Sequence, residues 1–136
     1  MSYDPYIHFQ GNCRGAMTAY QTLFGGTLQM MTYAEAPQAP EAHRDSDRIM
    51  HATLTTAGRM LMASDFPPGM EGDPQQALTV SHIAASRDEA VRIFDALSVG
   101  GSVTMQFQGT FWSDGFGTVK DRFGTHWMVS APWRAV

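Results

Sequence analysis

The sequence predicts an α+β fold of two paired β-α-β-β-β modules. Their strands would form a curved mixed sheet around a concave cavity, with the helices on the outer face. Three observations predict it. The motif Ala16-x-x-x-Tyr20-x-x-Leu23 before Gly25-Gly26 returns as Ala90-x-x-x-Phe94-x-x-Leu97 before Gly100-Gly101. The run from Gly58 to Ser64 returns without a gap from Gly124 to Ser130. His8-Phe9 ahead of the first helix pattern is echoed by His82-Ile83 ahead of the second. Echoes in the same order point to a duplicated unit, each copy unable to bury its apolar face alone.

Each element follows from a local pattern. In Tyr6-Ile7-His8-Phe9 the apolar residues alternate, so Ile7 and Phe9 share one strand face. Asn12 suits an N-cap, and Ala16, Met17, Tyr20, Leu23 and Phe24 then form one helical stripe. Gly25-Gly26 ends that helix, because glycine accepts the left-handed cap. In the second module Ser86-x-x-Glu89 reads as a capping box, followed by the stripe Ala90, Val91, Phe94 and Leu97. Three strands are expected after each helix: 27–34, 49–56 and 59–65, then 102–107, 117–120 and 125–131. The Pro-rich, charged stretch Ala34–Asp47 is a loop. Phe66–Gln76, rich in Pro and Gly, links the modules. One domain over 1–136 is expected, with module one at about 4–65, the linker at 66–76 and module two at about 77–131. One helix covers one sheet face. The opposite faces, side by side or paired with a second chain, would enclose a cavity.

Composition narrows the function classes. Apolar residues make up 43% and charged residues 16% of the 136, which suits a globular chain rather than a disordered one. The net charge is −4 and no basic stripe is present, so neither nucleic acid nor anionic membrane is expected as a partner. The N-terminus has no signal-peptide pattern and no apolar run is long enough to span a bilayer. Cys13 is the single cysteine, which excludes an internal disulfide and a cysteine-based zinc site and fits the reducing cytoplasm. Phosphate loops, dinucleotide fingerprints and nucleophile elbows are absent from the sequence.

Several segments carry a family resemblance: PYIHFQGNCR from Pro5, LFGG from Leu23, IMHA from Ile49 and LMASD from Leu61. FDAL from Phe94 with Gly100-Gly101 follows, then Phe111-Trp112, and Asp121-Arg122-Phe123-Gly124 with Trp127-Met128-Val129. Together they resemble the vicinal oxygen chelate proteins (glyoxalase I, bleomycin-resistance proteins and extradiol dioxygenases), and more closely their PhnB-like branch. The resemblance covers almost the whole chain. It implies the paired βαβββ fold and a homodimer. It specifies chemistry far less, since one fold carries many functions. Two departures matter. Gly15 stands where the branch has an acidic residue. The loop Phe111–Gly117 reads FWSDGFG where the branch has FWGDRFG, which removes an anion-binding arginine.

Metal-using relatives place two ligands per module on the concave face. By that resemblance, the final carboxylate ligand falls on Met128 and its repeat partner on Met62, with the first-strand ligands near Asp4 and near Leu78 or Thr79. Thioethers do not replace carboxylates for hard or borderline divalent ions. No metal and no cofactor are therefore expected, with a divalent metal as the lesser alternative. Strand parity would turn His8, His82, Met62 and Met128 toward the cavity, a set suited to Cu(I). The histidines, however, lie about four residues from the ligand positions, roughly 13 Å along a strand.

His51 falls opposite Met50, Ala52 and Leu54 in parity, and so on the concave face with Thr53 and Thr55. There it would bond a ligand or act as a general base. The expected ligand-binding residues are Tyr6, His8, His51, Met62, His82, Trp112 and Met128, with His51 the candidate catalytic group. The leading expectation is a protein that binds a small, partly apolar molecule without metal. The alternatives are a metal-dependent enzyme of glyoxalase or dioxygenase type, with His8, His51 and Asp65 as the ligands that would revive it, and a metal-free enzyme with His51 as base. Whether the chain is an enzyme stays open at this stage, as does the role of the Phe111–Gly117 loop.

Overall fold

Residues 1–135 are described in a computed structural model. They divide into a unit from Met1 to Pro74 and a second beginning at Gln75. The first holds β1 (Tyr6–Phe9), α1 (Cys13–Phe24), β2 (Thr27–Thr32), β3 (Ile49–Thr56) and β4 (Arg59–Asp65). The second holds β5 (Val80–Ile83), α2 (Arg87–Ser98), β6 (Ser102–Gln108), β7 (Phe116–Lys120) and β8 (His126–Ser130). The strands form two four-stranded mixed sheets, one per unit, in the orders β1-β4-β3-β2 and β5-β8-β7-β6. In each, the first strand runs parallel to the last and the other pairings are antiparallel.

Period-two burial sets the two faces of each sheet. In the first unit Ile7, Phe9, Ala52, Leu54 and Ala63 are buried and share a face, against the buried Ala16, Met17 and Tyr20 of α1. In the second, Trp127, Val129 and Val119 take that place against Ala90, Ile93, Phe94 and Leu97 of α2. The second glycine of each pair is fixed by close approach. A Cβ on Gly26 would collide with the carbonyl oxygen of Thr55, and one on Gly101 with that of Lys120.

The helix starts differ. Glu89 N–H donates to Ser86 Oγ at 3.2 Å, and the Glu89 carboxylate accepts from Ala85 N–H, so the expected capping box forms. At α1, Asn12 takes the N-cap position, but the receiving carboxylate there belongs to Asp65. Its Oδ1 accepts from Gly11 N–H at 2.8 Å and Cys13 N–H at 3.0 Å, while Oδ2 accepts from Ile49 N–H at 2.8 Å. One buried side chain thus ties the end of β4 to the start of α1 and of β3. The stretch expected as a loop after β2 contains successive turns and a single 3-10 turn, Glu41–His43. Tyr33 anchors it, donating from its hydroxyl to Asp65 O at 2.7 Å and packing edge-on against His43.

Candidate functional site

The sheet face of the first unit that turns away from α1 carries the polar aromatic side chains. β1 contributes Tyr6 and His8, β4 Met60, Met62 and Ser64, β3 His51, Thr53 and Thr55, and β2 Thr27, Gln29 and Met31. The register aligns Tyr6 with Met62 and Met62 with Thr53, and sets His8 beside Ser64 and Met31 beside His51. None of these strand residues is an Asp, Glu, Lys or Arg.

Hydrogen bonds join the rings. Tyr6 Oη lies 3.0 Å from His51 Nδ1, and Thr53 Oγ1 lies 2.9 Å from His51 Nε2. Ser64 Oγ lies 3.4 Å from His8 Nδ1. The Tyr6 ring centroid is 5.2 Å from that of His8 and 5.7 Å from that of His51. His8 in turn stacks on Phe66 at 5.4 Å. Behind Phe66 the chain folds back so closely that a Cβ at position 72 would meet the Phe66 ring, and the Gln10 side chain bonds both the N–H and the carbonyl of Gly72. Arg48 bonds the carbonyls of Gln10 and Phe66 and closes the same corner. The outcome is a ring array with hydroxyl and thioether neighbours, held from behind by backbone contacts.

Of the seven expected binding residues, Tyr6, His8, His51 and Met62 share this face. Met128 lies in the second unit, on the sheet face away from α2, beside Ser81 and Thr118. Trp112 is also in the second unit, packed edge-on against Phe111 and Phe116. Its loop is braced by Arg134, which pairs with Asp114 at 3.0 Å and donates to Thr110 O.

His82 corrects an expectation. It aligns with buried Val129, on the side facing α2. Burial there pushes its pKa below the usual 6.5, with Glu89 opposing and Arg92 adding to the shift. The sequence echo of His8 with His82 is slipped by one residue. Register makes Ile7 the counterpart of His82, and Ile83 the counterpart of His8. From these register-equivalent positions the first stripe alanine lies eight residues on in the first unit, His8 to Ala16, but seven in the second, Ile83 to Ala90, and a one-residue slip reverses strand parity. The Cu(I) set of two histidines and two methionines is lost with it.

The ligand register is corrected too. The first-strand neighbours of Met62 and Met128 are Tyr6 and Ser81, two residues beyond Asp4 and two or three beyond Leu78 or Thr79. Asp4 accepts a hydrogen bond from Ser2. Asp65 turns inward, its carboxylate engaged by three backbone N–H groups, so it does not join His8 and His51. Among the described residues, no three His, Cys, Asp or Glu side chains are grouped to hold a metal ion. Cys13 is fully buried, and burial with the nearby Asp65 charge pushes its thiol pKa up to about 12. Asp121 caps a turn, as aspartates in such positions do: Oδ1 accepts from Phe123 and Thr125 N–H, and Oδ2 from the Trp127 indole. No helix of the described residues is long and apolar enough to cross a membrane.

Comparison with known proteins matches residues 2–130 to the family model described as 3-demethylubiquinone-9 3-methyltransferase. Protein YjdN of Escherichia coli is 31% identical over 96% of this chain and 95% of its own length. The crystal structure of protein PA1353 from Pseudomonas aeruginosa is 39% identical, covers 97% of this chain and 98% of its own, and superposes with a TM-score of 0.89. A PhnB protein from Bacillus cereus is 20% identical over 96% of this chain and 99% of its own, with a TM-score of 0.76. Glyoxalase/bleomycin resistance/dioxygenase structures share the fold at lower identity.

Proposed function

We propose that the chain, which belongs to the PhnB-like 3-demethylubiquinone-9 3-methyltransferase family, binds a small, partly apolar, uncharged molecule on the open face of its first unit, without metal. The observation that carries this reading is the joining of Tyr6, His8, His51, Thr53 and Met62 on one face with no charged side chain among the strand residues. Aromatic and thioether surface with a few convergent polar groups is what a small-molecule site requires. A phenol, a hydroxyl and two thioethers occupy the first- and last-strand positions of the two units. Such donors are poor for Mg, Mn, Zn or Ni.

Methyl transfer, the activity in the family description, requires a methyl donor such as S-adenosylmethionine. The residues do not fit that group. The first strand-to-helix turn, the place where doubly wound α/β folds seat a nucleotide, is closed here by the Asp65 carboxylate. The open face offers no acidic residue for a ribose or a sulfonium. Those observations argue against carrying methyl transfer over to this chain.

The test pairs metal analysis with ligand binding. Untagged protein purified without chelator should hold substoichiometric transition metal. Calorimetric screening of uncharged aromatic compounds should find saturable binding that Met62→Ala and His8→Ala weaken. Near one equivalent of Ni, Zn, Mn or Fe per chain would refute the metal-free reading and restore the metal-dependent enzyme. A cytoplasmic homodimer belongs to the same proposal. Its supports are the buried free thiol of Cys13 and the exposed Ile83, Met105, Phe111 and Trp133 of the second unit. Sedimentation equilibrium at twice the chain mass is the expected result.

A further inference from the structure

One histidine of this face is engaged at both ring nitrogens by hydroxyls: Tyr6 Oη at 3.0 Å from Nδ1 and Thr53 Oγ1 at 2.9 Å from Nε2. A singly protonated imidazole donates from one nitrogen and accepts at the other, whereas an imidazolium donates from both. A threonine hydroxyl serves either state, because it can donate or accept. When Nδ1 accepts the phenolic proton, Tyr6 Oη keeps its lone pairs for a third group. Tyr6 is the exposed member of the chain and His51 the half-buried one, so an incoming molecule meets the phenol first. No Asp, Glu, Lys or Arg stands on the open face of these strands. The other titratable groups near Tyr6 are His8, whose ring is 5.2 Å from that of Tyr6 and whose Nδ1 lies against Ser64, and Tyr33, whose hydroxyl is committed to Asp65 O and which has the Asp65 and Arg48 charges beside it. Of these groups His51 is the one hydrogen-bonded to the Tyr6 hydroxyl, so negative charge brought to Tyr6 would be balanced through it.

We infer that Tyr6 and His51 form a proton-accepting pair for a ligand bearing a weakly acidic hydroxyl, a phenol or an enol. This rests on the reading of the face as a ligand site. The ligand O–H bond breaks and its proton passes to Tyr6 Oη as the phenolic proton passes to His51 Nδ1. The ligand becomes an oxyanion accepting from Tyr6 Oη–H. His51 becomes an imidazolium donating to Tyr6 Oη and Thr53 Oγ1. Only O–H and N–H bonds change, no proton leaves the complex, and a neutral pair becomes an ion pair. The rings of Tyr6, His8 and Phe66 supply the flat contacts that an aromatic ligand takes. Tyr6 is the residue that touches the ligand, and His51 acts through it.

The full-length protein would be titrated with para-nitrophenol at a pH below the probe's own pKa. Its non-ionisable analogue para-nitroanisole is the control. The expected result is a nitrophenolate absorption band that grows with bound probe in the wild type. Tyr6→Phe, which keeps the ring, and His51→Gln should lose that band while para-nitroanisole still binds saturably. A merely structural role for either residue would weaken both probes together and would overturn the inference. Saturable binding of both probes to the wild type without the phenolate band would also overturn it, yet leave the ligand site standing. No saturable binding of either probe would overturn both.

Discussion

Replacing Asp65 by Asn tests how the first unit is held together. The carboxylate is 1% exposed and accepts three backbone N–H groups from Gly11, Cys13 and Ile49. Asparagine keeps one oxygen. Turned toward Gly11 and Cys13 it preserves two bonds as neutral ones, and its amide N–H₂ then faces the Ile49 N–H, donor against donor. Losing one charge-assisted bond costs about 1.5–3 kcal/mol, and leaving a buried N–H unsatisfied adds roughly 1–3 kcal/mol. Those ranges overlap in what they count, so about 2–4 kcal/mol is expected for Asp65→Asn. Asp65→Ala, which strands all three donors, should cost more. Urea unfolding monitored by far-UV circular dichroism reads the loss as a lower midpoint at an unchanged slope. Because the chain has two compact units, the transition that moves should be the one reporting the first. A cost below about 0.5 kcal/mol for Asp65→Asn, the ordinary scatter of surface substitutions, would refute the view that this carboxylate joins β4, α1 and β3.

Three further outcomes follow from local geometry. Gly26→Ala must drive a Cβ into the carbonyl of Thr55 at a φ of 93°, so a loss of about 2 kcal/mol or more is expected in thermal or urea unfolding. Gly58→Asn, at a φ of 75° with open space around the added Cβ, should stay nearly neutral by the same measurement. Cys13 should resist a disulfide reagent in native protein at mildly alkaline pH and react at once when unfolded, since its thiol pKa is raised to about 12. For His82 the folded pKa lies below the unfolded 6.5, so the unfolded chain takes up the proton first. Stability should therefore fall as pH drops through 6.5 toward the folded value, and His82→Gln should flatten that part of the stability–pH curve.

The parts of the fold legible in sequence are those fixed by neighbours along the chain. Helical stripes, the Ser86/Glu89 box, the glycine pairs and the alternation of β1 and β3 each depend on residues within a turn or two, and each appears where periodicity places it, except that Ile93 rather than Val91 completes the buried stripe of α2. Parity likewise put His51 and Thr53 on the open face. What sequence did not convey is set by pairings across long separations. The start of α1 is closed by a carboxylate more than fifty residues away, with no local signal beyond an Asp at a strand end. The Tyr6–His51 bond joins two strands separated by β4, and only the sheet register brings them together. His82 falls on the helix-facing side because an echo of residue types need not preserve strand register when the distance from equivalent strand positions to the helix shortens by one.

Register also shows how the open faces of the two repeats differ. Tyr6 pairs with Met62 as Ser81 pairs with Met128. His8 pairs with Ser64 as Ile83 pairs with Ser130, and Thr53 with Met62 as Thr118 with Met128. One residue before Thr53 and Thr118 come Ala52 and Gly117, so His51 corresponds to Phe116. The methionine, the serine and the threonine persist in both copies. The phenol and both imidazoles occur only in the first, replaced by a hydroxyl, an isoleucine and a phenylalanine. Packing against the helix cannot explain that difference, because all of these positions face away from it. The second copy therefore serves as an internal reference. It keeps the sheet and the thioether without the groups proposed to transfer a proton, and any ligand binding that survives loss of Tyr6 and His51 would have to be sought on apolar contacts alone.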